Sequence, residues 1–202
     1  HYKKEVRALQ SRTKKSEKRD TIAASALDLF GRYGYKSVSM DQIAQHAGVA
    51  KGTVYLYFKD KAALIDELTD ETSRQIQTFV DQIKLKHLPL AEEIPQVIYQ
   101  LLIYRNQQRF LYRSFMEARE LKTPLAQKIV LRVDELVETY LRQRLGSIPE
   151  IGQKVNIEAL AFVIMKVYSA LAFEWEEHHK ALDEKQVAEV LMYLLKGSLA
   201  QY

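Results

Sequence analysis

The sequence predicts an all-α protein of about nine helices, and three observations support this fold class. Only 7 glycines and 4 prolines punctuate 202 residues, too few for the turns that a β-sandwich or barrel needs about every 8–12 residues. Apolar residues make up 47% of the chain and recur mostly at helical spacing. Capping residues and glycines stand where the expected helices begin and end. No segment is a convincing strand.

The N-terminal part of the chain is predicted to be a basic arm followed by a first helix. The arm covers residues 1–16 and is a marginal helix or an extended segment. Ser16 is the expected cap of the helix, and Gly34 is its natural end. Its apolar face consists of Ile22, Ala26, Leu29 and Phe30.

Two short helices follow around a glycine. Ser39 and Gln42 form a capping box for the first of them, which ends at Gly48. The second spans residues 51–58. Two short helices joined by a glycine-centred turn are typical of a helix-turn-helix unit.

The remaining two thirds of the chain are predicted to form six longer helices. Asp60, Pro124, Asn156 and Asp183 stand at four of their starts. Four of the expected spans are 60–86, 110–121, 124–146 and 156–177. Another helix starts near Pro95 and breaks near 106–108, and the last helix begins at 183. We therefore expect three segments, an arm at 1–16, a smaller helical domain at 17–77 and a larger helical domain at 78–202.

The charge is distributed unevenly, which points to a polyanionic partner for one end. The net charge of the chain is +4, but residues 1–61 carry 13 Lys and Arg against 6 Asp and Glu, while residues 62–202 carry 17 against 20. A solvated lysine-rich arm would give the same pattern. The absence of cysteine excludes disulfides and thiolate chemistry and fits a cytoplasmic protein. We expect no leader, no membrane span and no cofactor or metal.

The segment 51–61 combines buried and polar positions on one short helix. Val54 and Phe58 are four residues apart and suit packing, whereas Lys51, Thr53, Tyr55 and Tyr57 point mostly elsewhere. A helix in the major groove presents such donors and acceptors to base edges and phosphates. The alternative is that the two tyrosines are half-buried core residues.

The same region closely resembles the DNA-binding head of TetR-family transcriptional regulators over about 50 residues. The matching positions are Leu29, Phe30, Gly34, Tyr35, Ser39, Met40, Ile43, Ala44, Ala47, Gly48, Val49, Lys51, Gly52, Thr53, Tyr55, Tyr57, Phe58, Lys61 and Leu64. The resemblance implies an all-α homodimeric repressor that binds double-stranded DNA at a palindromic operator and responds to a small effector. It makes residues 17–77 the DNA-binding domain and residues 78–202 the effector-binding and dimerisation domain.

The resemblance also implies which residues bind DNA. They are Ser39, Met40, Lys51, Gly52, Thr53, Tyr55, Tyr57 and Lys61, with the tyrosines and Lys61 on phosphates and residues 51–53 nearest the bases. Asp41 departs from this pattern: it suits the helix dipole or restricts phosphate approach. The arm adds Arg12, Lys14, Lys15, Lys18 and Arg19, either in the minor groove or as non-specific affinity.

The C-terminal helices are expected to hold the effector and the second subunit. An amphipathic or aromatic effector would bind among Tyr99, Tyr104, Phe110 and Phe115. The expected dimer interface contains Val163, Val167, Ala170, Leu191, Leu194 and Leu195. Arg105, Arg109 and Arg113 would align on an unbroken helix, as a basic group for the effector or as a solvated stripe.

Other classes of protein are less well supported. Glu174 and His178 could share a metal, but a surface helix end explains them better, and no nucleophile elbow, phosphate loop or metal motif indicates an enzyme. The remaining alternatives are a DNA-binding regulator without an effector and a helical ligand-binding protein without specific DNA binding.

Overall fold

Capping side chains and apolar stripes divide the chain into helices, as the sequence predicts. The computed structural model describes residues 2–120, 124–175 and 178–199, with the side chains of residues 2–15, 109, 111, 115, 118–120, 124–126, 173 and 198 left aside. These residues form ten α-helices, a π-helical turn and no strand. The α-helices are α1 (Tyr2–Tyr33), α2 (Met40–His46), α3 (Lys51–Tyr57), α4 (Lys61–Lys84), α5 (Leu90–Gln107), α6 (Arg109–Glu120), α7 (Pro124–Gly146), α8 (Pro149–Lys154), α9 (Ile157–Ser169) and α10 (Glu184–Leu199).

Most predicted helix starts are confirmed by their hydrogen bonds. Asp60 Oδ1 accepts from the backbone N–H of Ala63 at 2.8 Å, and Asn156 Oδ1 accepts from that of Ala159 at 2.9 Å. At α10, Asp183 and Gln186 form a reciprocal capping box, at 2.8 and 3.0 Å. Thr123, the expected cap of α7, lies outside the described residues.

Three elements differ from the prediction. Ser16 does not cap a helix, because α1 already begins at Tyr2 and the Ser16 hydroxyl lies within it, 3.5 Å from Asp20 Oδ2. Strong helix formers such as Lys, Arg, Glu, Ala and Leu, with no proline or glycine until Gly31, carry the helix through the arm. The segment after Pro149 forms the short helix α8. The helix from Asn156 changes to a π-helix at Ala170–Glu174.

The helices divide into two compact units. The first, here called the head, contains residues 1–71 and 108–127, and the second, the body, contains residues 72–107 and 128–202. The head therefore includes α6, and the division at 71/72 lies within α4, six residues before the predicted boundary.

The core of the head is built from α1–α4 and α6. Ile22, Phe30, Ile43, Val54 and Leu64 are all almost fully buried. α6 packs along α1, where the rings of Phe30 and Phe110 lie 6.2 Å apart. Burial of these side chains supplies the hydrophobic stabilisation of the unit.

The body has its own core, in which α5 packs along α10. Its buried apolar residues include Ile98 and Leu101 from α5, Leu141 from α7, Tyr168 from α9 and Leu191 from α10. No helix among the described residues is both long and apolar enough to cross a membrane.

Candidate nucleic-acid interface

The α2–turn–α3 unit is fixed by local hydrogen bonds that its sequence encodes. Ser39 Oγ accepts from the N–H of Gln42 at 3.2 Å, and Gln42 Oε1 accepts from the N–H of Ser39 at 2.7 Å. Gly48 ends α2 with a φ of 65°, a conformation that favours glycine. The N–H of Val49 then donates to Ala44 O at 3.0 Å. The predicted capping box and glycine turn are confirmed.

One side of α3 faces the core of the head and the other faces solvent. Val54 and Phe58 are buried, as expected from their spacing. Gly52, Tyr55 and Leu56 are exposed and follow one another at i, i+3 and i+4, so they share a face of α3, and Lys59 is exposed just beyond its C-terminal end. We call these four residues the α3 face. Thr53 and Tyr57 are half-buried at its margins.

Leu56 is the residue on this helix that sequence reasoning missed. Its side chain is 81% exposed although it is apolar. Its position, two residues after Val54 and two before Phe58, places it away from their buried side. An exposed apolar side chain between polar neighbours suits contact with a thymine methyl group.

Lys51 is exposed but already has a charged partner. Its ammonium lies 2.8 Å from Asp41 Oδ1 and 2.9 Å from Asp41 Oδ2. This hydrogen bond and the charge of Asp41 raise the pKa of Lys51. Asp41, noted in the sequence as a departure from the family pattern, therefore neutralises one of the expected DNA contacts.

Lys61 is engaged within the head. Its ammonium donates to Tyr35 O and Val38 O, both at 2.7 Å, and lies 4.1 Å from the centre of the Tyr35 ring. Burial lowers the pKa of Lys61, and Glu117 opposes that shift. The lysine thus joins the start of α4 to the segment between α1 and α2. In this arrangement, it stabilises the helix-turn-helix unit from within, and its expected contact with DNA stays a prediction.

Ser39 and Met40 lie together at the start of α2 but in different environments. Ser39 is exposed, although its hydroxyl serves the capping box. Met40 is buried in the head, so its side chain contributes to packing. A DNA contact by Met40 would thus use its backbone.

α6 fixes the corner between α1 and α2. Gly34 has a φ of 79°, and a Cβ atom at this position would collide with Glu117 Oε1. The same carboxylate oxygen accepts from the N–H of Tyr35 at 3.2 Å. The positive φ therefore favours glycine here, and a Cβ atom would also displace the flexible end of the Glu117 side chain.

The basic residues predicted to contact DNA from the arm lie in different environments. Arg19 contacts Glu67 at 2.5 Å and lies 5.1 Å above the Phe58 ring, so it packs within the head. Lys18 is exposed. Arg12, Lys14 and Lys15 belong to α1, but their side chains lie outside the described residues.

The four predicted effector residues do not line one described cavity. Tyr104 donates to Gln75 Oε1 at 2.8 Å and packs on Phe79 in the body, whereas Phe110 is buried against Phe30 in the head. Phe115 is in α6, with its side chain outside the described part. Tyr99 borders a groove of about 420 Å³ between α5 and α10. The residues that line this groove are Glu92, Pro95, Gln96, Tyr99, Lys185, Ala188, Glu189 and Met192.

The arginine and acid–histidine clusters have simpler roles. α5 ends at Gln107 and α6 begins at Arg109, so the arginine stripe is interrupted. Arg105 is buried and donates to Ala172 O, in the π-helix, at 2.9 Å. Glu174 and His178 are exposed. Within the described ranges, no three His, Cys, Asp or Glu side chains are arranged to hold a metal.

The expected dimer residues fall on two different sides of their helices. Leu191 and Leu195 are buried in the core of the body, and Val167 and Ala170 are half-buried. Val163 and Leu194 are 53% and 52% exposed. They are among the exposed apolar and aromatic side chains of α9 and α10, two helices that contact each other. We call this set the α9–α10 face, and it consists of Phe162, Val163, Val190, Tyr193 and Leu194.

Two short capped helices are joined by a tight turn in a basic domain, and one face of the second helix is exposed. This arrangement is characteristic of helix-turn-helix DNA-binding proteins. Residues 22–68 match the family model described as "Bacterial regulatory proteins, tetR family". These residues therefore carry the DNA-binding domain of this family, and the chain as a whole is similar to HTH-type transcriptional regulators.

Its relatives include regulators of bacterial genes. The chain is 29% identical to the "Uncharacterized HTH-type transcriptional regulator YhgD" of Bacillus subtilis (strain 168), over 90% of this chain and 96% of that protein. It is 30% identical to the "Fatty acid metabolism regulator protein" of the same organism, over 59% of this chain and 60% of that protein. The fold is similar to that of FadR from Bacillus subtilis, solved in complex with stearoyl-CoA, with a TM-score of 0.63 and 20% identity over 87% of this chain and 96% of that one.

Proposed function

We propose that this regulator is a homodimeric repressor that binds a palindromic operator and releases it when a small amphipathic effector binds. The observation that carries the proposal is the α3 face. Gly52, Tyr55 and Leu56 are exposed on a short helix, with Lys59 exposed just beyond its end, and Val54 and Phe58 anchor the other side. A rigid helix with one free face is what entry into the major groove requires.

The residues of this face have distinct chemical roles in the proposal. Gly52 faces open space, because a Cβ atom there would meet no protein atom within 4 Å. Its lack of a side chain leaves room for DNA to approach the backbone of α3. Leu56 contacts a thymine methyl group, and the ammonium of Lys51 contacts a base edge. Tyr55, Tyr57 and Lys59 donate to phosphates and set the position of the helix. Ser39 caps α2, and its hydroxyl already donates to Gln42 Oε1 at 3.0 Å.

Selection of bound sites from random duplexes tests the DNA-binding proposal. We expect an inverted repeat with half-site centres ~34–36 Å apart, or a multiple of that distance, because a two-fold dimer presents two α3 helices to one side of the duplex. Leu56→Ala should weaken the preference for one thymine per half-site, and Leu85→Ala, which also truncates an exposed leucine, should not. Exclusively asymmetric sites would refute the palindromic operator.

The α9–α10 face supports the homodimer. Large apolar patches on a protein surface mark interaction sites, and this one presents five apolar or aromatic side chains from two adjacent helices. A two-fold contact would place the same face of a second copy against it. The four helices would then bury the surface that each protomer exposes.

The proposed effector is a long-chain acyl compound, with acyl-CoA as the first class to test. The support is a relative named for fatty acid metabolism and a similar fold solved with stearoyl-CoA. The groove between α5 and α10, which Tyr99 and Met192 border, is the apolar site that we assign to the acyl chain.

Acyl-CoA is expected to release the protein from its operator. A ligand that prefers the DNA-incompetent state opposes DNA with a coupling of about 1–3 kcal/mol, or roughly 5–150-fold in operator affinity. The measurement is fluorescence anisotropy of labelled operator titrated with stearoyl-CoA, and free CoA is the control ligand. Tyr99→Ala should lose the response and keep the operator affinity. An acyl-CoA that raises the melting temperature and leaves operator affinity unchanged would refute the coupling.

A regulator without an effector is the second candidate. It is favoured by the packing of Tyr104 on Phe79 and of Phe110 on Phe30, which occupies these aromatic side chains with partners from the protein itself. If a broad library of apolar compounds yields no binder, this candidate replaces the first.

A further inference from the structure

An ion pair joins the two helices of the helix-turn-helix unit on their exposed side. Asp41 belongs to the first turn of α2, and Lys51 is the first residue of α3. The ammonium of Lys51 lies within 2.9 Å of both carboxylate oxygens of Asp41. Both side chains remain largely in solvent, 61% exposed for Lys51 and 60% for Asp41.

Stability does not explain this pair. An exposed ion pair contributes only about 0–1 kcal/mol, because solvent screens the charges and two long side chains lose freedom. The packing of α3 against α2 is already provided by Val54 and Ile43, which are completely buried. The turn between the helices is closed by the hydrogen bond from Val49 to Ala44 O.

The position of the pair is unfavourable if Lys51 serves only to raise the affinity for DNA. Lys51 adjoins Gly52, at one end of the α3 face that we assign to DNA. An unpaired lysine there would displace a counterion from any phosphate and so bind every duplex. A carboxylate beside it removes that gain and repels phosphates.

We propose that Asp41 determines specificity by acting through Lys51, and this inference rests on the proposed DNA-binding function. Asp41 withholds the ammonium from the phosphates of unrelated DNA and holds it in one place. An ammonium carries three N–H donors, so at least one stays available for a base edge while Asp41 accepts from the others. The guanine O6 and N7 atoms are the acceptors that suit a lysine in the major groove. Asp41 is thus a positioning residue.

Asp41→Asn tests the inference, because it removes the charge and keeps the size of the side chain. We expect its affinity for random duplex DNA to rise by roughly eightfold at 0.1 M salt, and the slope of log K against log salt to steepen by ~0.9, as for one added phosphate contact. The ratio of operator to random-duplex affinity should fall. Asp70→Asn, which makes the same charge change at an exposed site on α4, is the matched control and should leave the ratio unchanged.

Repeating the test in a Lys51→Met protein separates an effect that Asp41 exerts through Lys51 from a direct effect of the Asp41 charge on DNA. In Lys51→Met, Asp41→Asn should change random-duplex affinity no more than Asp70→Asn does. An equal gain with and without Lys51, or an Asp41→Asn variant that matches Asp70→Asn in the wild-type background, would overturn the inference. Asp41→Ser repeats the test with a shorter side chain, and melting temperatures verify that each variant is folded. Wild-type protein that binds no duplex selectively would refute the proposed function instead.

Discussion

Replacing Leu194 with glutamate is expected to give a folded monomer that no longer binds the operator. Leu194 is 52% exposed in the protomer, so a charged side chain is tolerated there as long as the subunits are apart. In the proposed dimer, the carboxylate would lie against the apolar residues of the α9–α10 face, at a cost of several kcal/mol if it stays ionised. Each 1.4 kcal/mol weakens an association tenfold, so the dimer should weaken by at least two orders of magnitude.

Analytical ultracentrifugation and operator titration measure the two effects of this change. Leu131→Glu is the matched control, since Leu131 is also exposed, on α7, outside the α9–α10 face. We expect the control to remain dimeric and to bind DNA. A folded Leu194→Glu protein that sediments as a dimer would exclude this face as the interface. By contrast, Leu191→Glu and Leu195→Glu would insert the charge into the core of the body and would report on folding alone.

Replacing Arg144 with methionine is expected to destabilise the folded state by about 3–5 kcal/mol, because it leaves a buried carboxylate without its cation. Glu93 in α5 is completely buried. Arg144 donates to both of its oxygens, at 2.7 and 2.8 Å, and the Tyr140 hydroxyl donates to Oε1 at 2.9 Å. Urea denaturation at pH 7 measures the loss. Arg142→Met, which removes a half-buried arginine two residues earlier on α7 whose ion pair with Glu138 is partly in solvent, should cost less than about 1 kcal/mol.

The destabilisation by Arg144→Met should depend on pH in a defined direction. Burial raises the pKa of Glu93, but the hydrogen bonds from Arg144 and Tyr140 and the charges of Arg144 and Lys84 outweigh it, so the pKa is lowered. In the wild type, this group therefore contributes stability above its unfolded pKa, and the contribution is lost as the pH falls. Without Arg144, the pKa of Glu93 should be higher than in the wild type, so the ionised carboxylate contributes less stability at high pH. The difference between the two proteins should grow from pH 4 to pH 7, and a constant difference would contradict this account.

The features that could be predicted from sequence depend on residues close together in the chain. The capping pairs Ser39–Gln42 and Asp183–Gln186 are three residues apart, and their hydrogen bonds form as the sequence indicates. Val54 and Phe58 bury the same side of α3 because their spacing of four places them together on any helix. The fold class, the helix-turn-helix unit and the family could therefore be recognised from the sequence.

The features that could not be predicted depend on contacts between distant segments. Nothing local shows that the Lys61 ammonium donates to carbonyls 23 and 26 residues earlier. The choice between Leu191 and Leu194 as the buried residue of α10 depends on how far the helix is rotated against α5, which apolar spacing alone does not fix. The same reason explains Leu56, whose exposure follows from which side of α3 the head covers.

The contact of Glu117 with the corner at Gly34 has a consequence for exchanging parts between regulators of this type. The DNA-reading module is discontinuous: it consists of residues 1–71 together with 108–127, which the chain supplies only after passing through α5. A chimaera that transplants the N-terminal segment alone would leave Phe30 without Phe110 and the Tyr35 amide without its acceptor. Both segments must therefore be exchanged together. A fusion boundary placed after α4 would separate the rest of the head from α6, which belongs to its core.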